Sequence, residues 1–438
     1  MATTQHRDKP KHVAQFNRMQ LPPLTRVVAA LRETTETLGR ELAVPTNEPP
    51  HWTEFEWLIA RAVTAMHGVS SLLYDRLRWE GPEGWRRFLR EQRDQSVGRH
   101  LQIARLLDAI DSQARRENVP LVALKGAALH ASEIYAAGER PMGDIDLLVR
   151  NEDAKAIARA LEFCGYEAAF STHRHQVFQP RVRKILTGGR LGEHVDDPIK
   201  IEVHTRIAER LPVKTVDITQ FLLPSAAHAG LNAYPSPASL MMHLLLHAAG
   251  NMRARALRLI QLHDIALLAA RFGPGDWGEL LCARPDGRTL WWALAPLTLT
   301  ARYYAGTIPP DLLARLDLEC PWLLTRLSRR QQLADVSWSN IRIEAFPGVE
   351  WSRTPLEALE FMSSRIWPKR EALSELKEGA AQIPDSSTVP WYGISHGARI
   401  LRWVFSRPPR VQTLLSVLAA LAQEPRTTAS GPSTQDPH

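Results

Sequence analysis

Gly143-Asp144-Ile145-Asp146-Leu147-Leu148-Val149 is the stretch on which the reading of this chain turns. Alternate side chains of an extended segment share a face, so Asp144 and Asp146 point one way and Ile145 the other. Leu147-Leu148-Val149 lacks polar alternation, as expected of a strand covered on both faces, which leaves the two carboxylates at its N-terminal rim. Like charges at a strand end repel, and a bound divalent cation would offset that cost. An Asp-x-Asp pair in isolation is more often a turn or an exposed strand end. Its surroundings change the balance.

Upstream, Leu121-Val122-Ala123-Leu124 is a short apolar run between Pro120 and the Lys125-Gly126 corner, which suits a buried strand. A helix is expected next, over 127–138, closed by Gly138, and another over 152–164 after the aspartate strand. Strands are expected at 166–170, 176–179 and 199–207. In the last of these, Glu202 and His204 share one face while Ile201 and Val203 take the other. Glu202 is therefore the candidate third carboxylate, because two cations about 3.5–4 Å apart need more than one pair of ligands. Magnesium, or manganese in its place, suits such an all-oxygen set.

In this order, Leu124-Lys125-Gly126-Ala127-Ala128-Leu129, then Arg140-Pro141-Met142-Gly143-Asp144-Ile145-Asp146-Leu147-Leu148-Val149, then Ile201-Glu202-Val203-His204, the chain resembles an uncharacterised nucleotidyltransferase family. That family is often found beside genes for ribosomal-peptide and lasso-peptide biosynthesis. It is similar in fold to the minimal nucleotidyltransferases of the polymerase-beta superfamily. The resemblance covers about 101–207, extends to the helices of 243–268, and is weak elsewhere. It implies a mixed α+β fold, a small mixed sheet flanked by helical regions, with magnesium and a nucleoside triphosphate, ATP being the expected one. It makes Asp144 and Asp146 the metal ligands, with Glu202 completing the catalytic set. Gly126 falls where the lack of a side chain lets phosphate approach the backbone. The superfamily's usual Gly-Ser pair reads Gly126-Ala127 here, so one hydroxyl that would help hold the triphosphate is missing. Lys125 and Arg140 flank the site and are candidates to supply charge to the phosphates; a solvated lysine and an acid-paired arginine are the alternatives. His204 is a candidate to orient Glu202 or contact the nucleotide, against a structural role on a half-buried strand.

Around this core the chain divides into a basic arm expected to be disordered (1–20), an N-terminal helical region (21–97), the nucleotidyltransferase core (98–215), a C-terminal helical region (216–423) and a polar tail (424–438). With 438 residues, 44% of them hydrophobic, there is enough chain for substantial cores. Three cysteines, Cys164, Cys282 and Cys320, form neither a disulfide framework nor a thiolate metal site, which fits a cytoplasmic protein. The longest uncharged stretches, 289–301 and 411–422, are shorter than the ~20 residues of a membrane helix. The segment 400–422 combines Trp403, Phe405 and arginines with an apolar helix; docking within the protein is expected, and peripheral contact with an acidic membrane is the alternative.

Fifty-four Lys and Arg against 47 Asp and Glu give a net charge of +7, a modest surplus that favours anionic partners. Arg181, Arg183, Lys184 and Arg190, preceded by His173 and His175, lack the aromatic interleaving of a nucleic-acid surface, so RNA is not the expected partner. His243 and His247 share a helix face, but Leu244 stands where a zinc protease needs its glutamate. His263-Asp264 invites a lesser alternative, a metal-dependent phosphohydrolase. The leading expectation is nucleotidyl transfer to an unidentified small-molecule, peptide or protein acceptor. The competing one, motivated by Ala127, is a catalytically degenerate nucleotide-binding scaffold in a peptide-maturation assembly.

Overall fold

A computed structural model describes residues 22–171, 175–182, 191–287, 289–368 and 396–422. The expected disordered arm and tail lie outside the described residues, as do His173, Arg183, Lys184 and Arg190.

Helices α1 (Leu24–Ala43), α2 (Glu54–His67), α3 (Ser70–Arg76) and α4 (Glu83–Arg116) come first. Helix α2 starts at a capping box in which the Thr53 hydroxyl and the Glu56 carboxylate each bond the other's backbone N–H. Helix α4 begins well before residue 98, where the core is expected to start, because 83–97 already repeats apolar residues at helical spacing, burying Trp85, Phe88 and Leu89. It runs unbroken across the expected boundary at 97/98.

The sheet that follows is made of β1 (Pro120–Ala123), β2 (Asp144–Val149), β3 (Tyr166–Ser171), β4 (His175–Pro180), β5 (Lys200–His204) and β8 (Gly230–Asn232), in the order β3-β4-β5-β2-β1-β8. Strands β2 and β5 are parallel, as are β1 and β8, and the remaining neighbours are antiparallel. This is the mixed sheet of the expected α+β class. A separate hairpin joins β6 (Ala208–Arg210) to β7 (Thr215–Asp217). Helix α5 (Gly126–Ala131) is shorter than the expected 127–138. The Ser132 hydroxyl bonds back to the Ala128 carbonyl, and Glu133 adopts φ 53°, so the chain turns there. Helix α6 (Ala154–Phe163) crosses from β2 to β3.

The two faces of the sheet have different fates. Ile145, Leu147, Val149, Ile201 and Val203 are buried with Ile103 and Ile110 of α4 and Ile157 and Leu161 of α6. The opposite face carries Val122, Leu124 and Leu148 into the core of the helical regions. That core includes helices α7 (Thr219–Leu222), α8 (Pro237–Arg253), α9 (Leu259–Ala269), α10 (Pro274–Cys282), α11 (Leu294–Tyr303), α12 (Pro310–Asp317), α13 (Trp322–Ser328) and α14 (Leu333–Val336). Helix α8 is apolar nearly all round and buried along most of its length, as a central helix must be. Helices α15 (Pro355–Ile366), α16 (His396–Ser406) and α17 (Val411–Ala422) complete the described chain. No described helix is long and apolar enough to cross a membrane. On α16, Leu401 and Phe405 are exposed, whereas α17 buries Val417 and Ala420 in the helical core.

Candidate functional site

Register builds the site. Asp144 faces Lys200 and Asp146 faces Glu202 across the parallel pair β2/β5, so Asp144, Asp146 and Glu202 share the sheet face away from α4 and α6. Lys125, Gly126, Arg140, Asp144, Asp146 and Glu202 line one cavity of about 390 Å³. Its far wall comes from the helical regions and includes His247, Asn251, Arg258 and Asp264. His204 stands beside the cavity wall, its Nε2 3.0 Å from Asp146 Oδ1 and 3.7 Å from Glu202 Oε2.

The three carboxylates are electrostatically unequal. Asp146 is buried, and burial alone would raise its pKa. The Lys125 ammonium, whose Nζ donates to Oδ1 at 3.1 Å, and His204 at 3.0 Å overcome that and hold it well below the usual range. Asp144 shifts up, through burial and through the charge on Asp146; its side chain is still reached by solvent from the cavity, which softens the repulsion. Burial, then Asp146 and Asp144, push the Glu202 carboxyl up to about 7. Lys125 is opposed by its own burial, but Asp146 and Asp144 outweigh this and raise its pKa. One ammonium among three carboxylates leaves a surplus of negative charge and unshared oxygen lone pairs, a donor set that fits a hard divalent cation.

The strand end is held from behind by Arg99 of α4, a buried residue. Its guanidinium donates to the carbonyls of Met142 (2.7 Å), Gly143 (2.7 Å) and Asp197 (2.7 Å), and so fixes the backbone immediately before Asp144. Lys125 has φ 48°, a left-handed conformation rare outside glycine. Its backbone N–H donates to the Tyr234 hydroxyl at 3.3 Å, and that hydroxyl is hydrogen-bonded to His243 Nδ1 at 2.7 Å.

Arg140 makes a bidentate pair with Asp264: Nε donates to Oδ1 and Nη2 to Oδ2, both at 2.8 Å. The Tyr135 hydroxyl adds a third bond to Oδ1 at 2.7 Å. Gly126 leaves the room this needs, because a Cβ there would collide with Arg140 Nη1 and press on Met142. Arg258 differs: its Nε donates to the Met66 carbonyl at 2.9 Å, and among the described residues no carboxylate pairs with it. Burial lowers its pKa, and Glu193 and Asp144 only partly compensate. A desolvated guanidinium open to a cavity is a receptor for an anion.

The histidine motifs part company in three dimensions. His243 bonds Tyr234, whereas His247 lies 3.2 Å from the Asn251 amide nitrogen. His263 reaches the Tyr304 hydroxyl (2.9 Å) while Asp264 binds Arg140. Arg99 is the site residue that the sequence does not single out, whereas the resemblance implies that Arg258 and Asp264 pack in a helical subdomain covering the nucleotide pocket. Arg99 follows Gly98 in a long polar helix, and nothing in helical spacing marks it. Arg258 stands at the N-terminus of α9, where only the tertiary fold brings it to the carboxylates.

The family model described as uncharacterised nucleotidyltransferase matches residues 53–304. The chain belongs to that family. The match takes in α2, the whole sheet and the helices up to α11, so every lining residue of the cavity except Trp338 falls inside the matched region. No curated protein and no solved structure matches the chain.

Proposed function

We propose that the chain transfers a nucleotidyl group from a nucleoside triphosphate, ATP being the expected one, to an acceptor oxygen, with magnesium or manganese bound by Asp144, Asp146 and Glu202. The observation that carries this reading is the in-register facing of Asp146 and Glu202 across parallel strands, with Asp144 beside them and Arg258 on the opposite wall of the same cavity. When bound, the cation supplies charge stabilisation at the α-phosphate and at the leaving oxygen.

The acceptor oxygen attacks the α-phosphorus, the bond from that phosphorus to the bridging oxygen breaks, and pyrophosphate leaves. Glu202 receives the acceptor's proton at a carboxylate oxygen. Arg258 and the cavity-facing edge of Arg140 hold the phosphates, and Lys125 balances the charge of Asp146. Arg258 in this role compensates for the hydroxyl that Ala127 does not provide. His204 orients Asp146, and the rigid backbone held by Arg99 keeps the aspartate pair in place, so catalysis rests mainly on positioning and charge. The resemblance noted above points to an acceptor in peptide maturation, in the cytoplasm where the triphosphate is found.

Calorimetric titration of each nucleoside triphosphate, with and without magnesium, tests the assignment. Metal-dependent binding should vanish in the Asp144→Ala/Asp146→Ala double variant, and unchanged binding there would overturn the site. Binding without turnover across acceptor mixtures would make the chain a nucleotide-binding scaffold, the reading that Ala127 favours.

A further inference from the structure

Beside the aspartate pair, the same sheet face carries two imidazoles. Strand β4 runs antiparallel to β5 and sets His175 opposite His204, while Glu202 lies two residues before His204 on the same face. His175 Nε2 is 3.6 Å and His204 Nε2 is 3.7 Å from the same oxygen, Glu202 Oε2. The three donor atoms all lie within 4.8 Å of one another. The rings stand 5.0 Å apart between centroids, tilted by 43°. Among the described residues this is the one trio of histidine, cysteine or acidic side chains whose donor atoms converge in this way.

We propose that His175, Glu202 and His204 form a second cation site, adjoining the Asp144–Asp146 pair, that takes a first-row transition-metal dication in preference to magnesium. Imidazole nitrogen is a borderline donor that suits zinc, copper, iron and nickel, whereas magnesium holds to oxygen. Two imidazoles and a carboxylate are also a familiar three-ligand set for a zinc site with one open position. Metal–donor distances of about 2.0–2.2 Å in a tetrahedron put the donors roughly 3.3–3.6 Å apart. The glutamate–histidine separations of 3.6 and 3.7 Å therefore need to close by only a few tenths of an ångström.

The metal-free contacts say how the site is kept ready. His204 Nε2 lies 3.0 Å from Asp146 Oδ1, which also accepts from Lys125. Coordination replaces the proton on His204 Nε2, which moves to Nδ1 or to solvent, and so frees one lone pair of Asp146. The two cation positions are thereby linked through Asp146 and Glu202. The inference shares Glu202 with the nucleotidyl-transfer reading, but the cation needs no triphosphate in order to bind.

The full chain, stripped of metal, should be titrated with Co²⁺ alone and followed by its visible d–d absorption. One equivalent should bind with the spectrum of nitrogen ligation, and Zn²⁺ but not excess Mg²⁺ should displace it. His175→Ala should weaken Co²⁺ binding by at least about tenfold, since even an outer partner of a metal ligand is worth that much. His175→Gln guards against a folding defect, and the metal-free melting temperature of each variant reports whether one is present. A Co²⁺ spectrum and affinity unchanged in both His175 variants, or displacement by Mg²⁺ as easily as by Zn²⁺, would overturn the proposal. Magnesium-dependent ATP binding measured on the same His175 variants keeps the two readings apart: loss of Co²⁺ binding with ATP binding intact separates the second site from the first.

Discussion

Arg140 and Asp264 lie 124 residues apart in the chain and meet in a two-bonded ion pair, 2.8 Å at each contact, that joins the loop before β2 to helix α9. Both side chains are largely out of water, Asp264 at 2% and Arg140 at 12% exposure. The pair therefore fixes the distance between the carboxylate wall of the cavity and the helical wall that faces it.

Breaking it from one side strands a buried charge. Asp264→Ala should cost about 3–5 kcal/mol in urea unfolding. Asp264→Asn, which keeps an acceptor for Tyr135, should cost less. Equal unfolding midpoints for the wild type and Asp264→Ala would show that the pair does not hold the walls together.

The two aspartates of the opening motif should respond in opposite directions. Asp146 is stabilised as an anion by Lys125 and His204, so Asp146→Asn should lower the metal-free melting temperature. Asp144 carries a shift of the other sign, from burial and from Asp146, so Asp144→Asn should leave that temperature unchanged or raise it. Both variants should lose magnesium-dependent nucleotide binding. Differential scanning calorimetry in a chelator, followed by titration with magnesium and ATP, separates the two effects.

Arg99 should act on the site without touching the cavity. Arg99→Met removes bonds to four carbonyls, those of Met142, Gly143, His194 and Asp197, and should cost about 3 kcal/mol or more, since hydrogen bonds from a charged group contribute about 1.5–3 kcal/mol each. It should also weaken cation binding, because the Met142–Gly143 backbone would no longer set the direction of Asp144. A destabilised Arg99→Met protein with wild-type cation affinity would contradict that positioning role.

Gly68 offers a way to move Arg258 without replacing it. At φ 67° this residue closes α2, and a Cβ there would lie 2.7 Å from Arg258 Nη2. Gly68→Ala should cost about 1 kcal/mol from the left-handed backbone, and the flexible end of Arg258 should yield by shifting. Triphosphate affinity should then fall, though by less than the about ten- to hundredfold expected for Arg258→Ala. Full affinity in Arg258→Ala would remove Arg258 from the phosphate site.

Acid should unfold the protein in a defined window. His67 is fully buried, accepts the Leu259 N–H on Nδ1 at 2.8 Å and contacts Ser339 Oγ through Nε2 at 2.9 Å. Burial, with Arg258 nearby, lowers its pKa from 6.5 to about 3; burial lowers His263 to about 3 as well. Between those limits the unfolded chain binds more protons than the folded one, so stability is complete above pH 6.5 and falls as pH drops toward 3. Each histidine contributes a slope of about 1.4 kcal/mol per pH unit within the window. Urea midpoints from pH 7.5 to 4.5 measure the slope, and His67→Asn should reduce it by about one proton's worth.

Much of the site was legible because its signals are local. A period of two places Asp144 with Asp146 and Glu202 with His204, and it sends Ile145, Ile201 and Val203 to the other face, whatever the rest of the chain does. The end of α5 was misplaced for an equally local reason: Ala-rich sequence favours helix through 137, but the Ser132 hydroxyl and the left-handed Glu133 end it at Ala131.

By itself, then, the sequence determined the carboxylate-bearing strands, the helical surroundings and the likeness to a nucleotidyltransferase, since strand alternation, helical spacing and ordered motifs are properties of neighbours along the chain. Only the tertiary structure decided that Glu202 stands opposite Asp146 and His175 opposite His204, that Arg140 is taken by Asp264, and that Arg99 and Arg258 serve the cavity. These pairings depend on strand order and on packing between distant segments, and no local periodicity encodes which distant partner a buried charge will find.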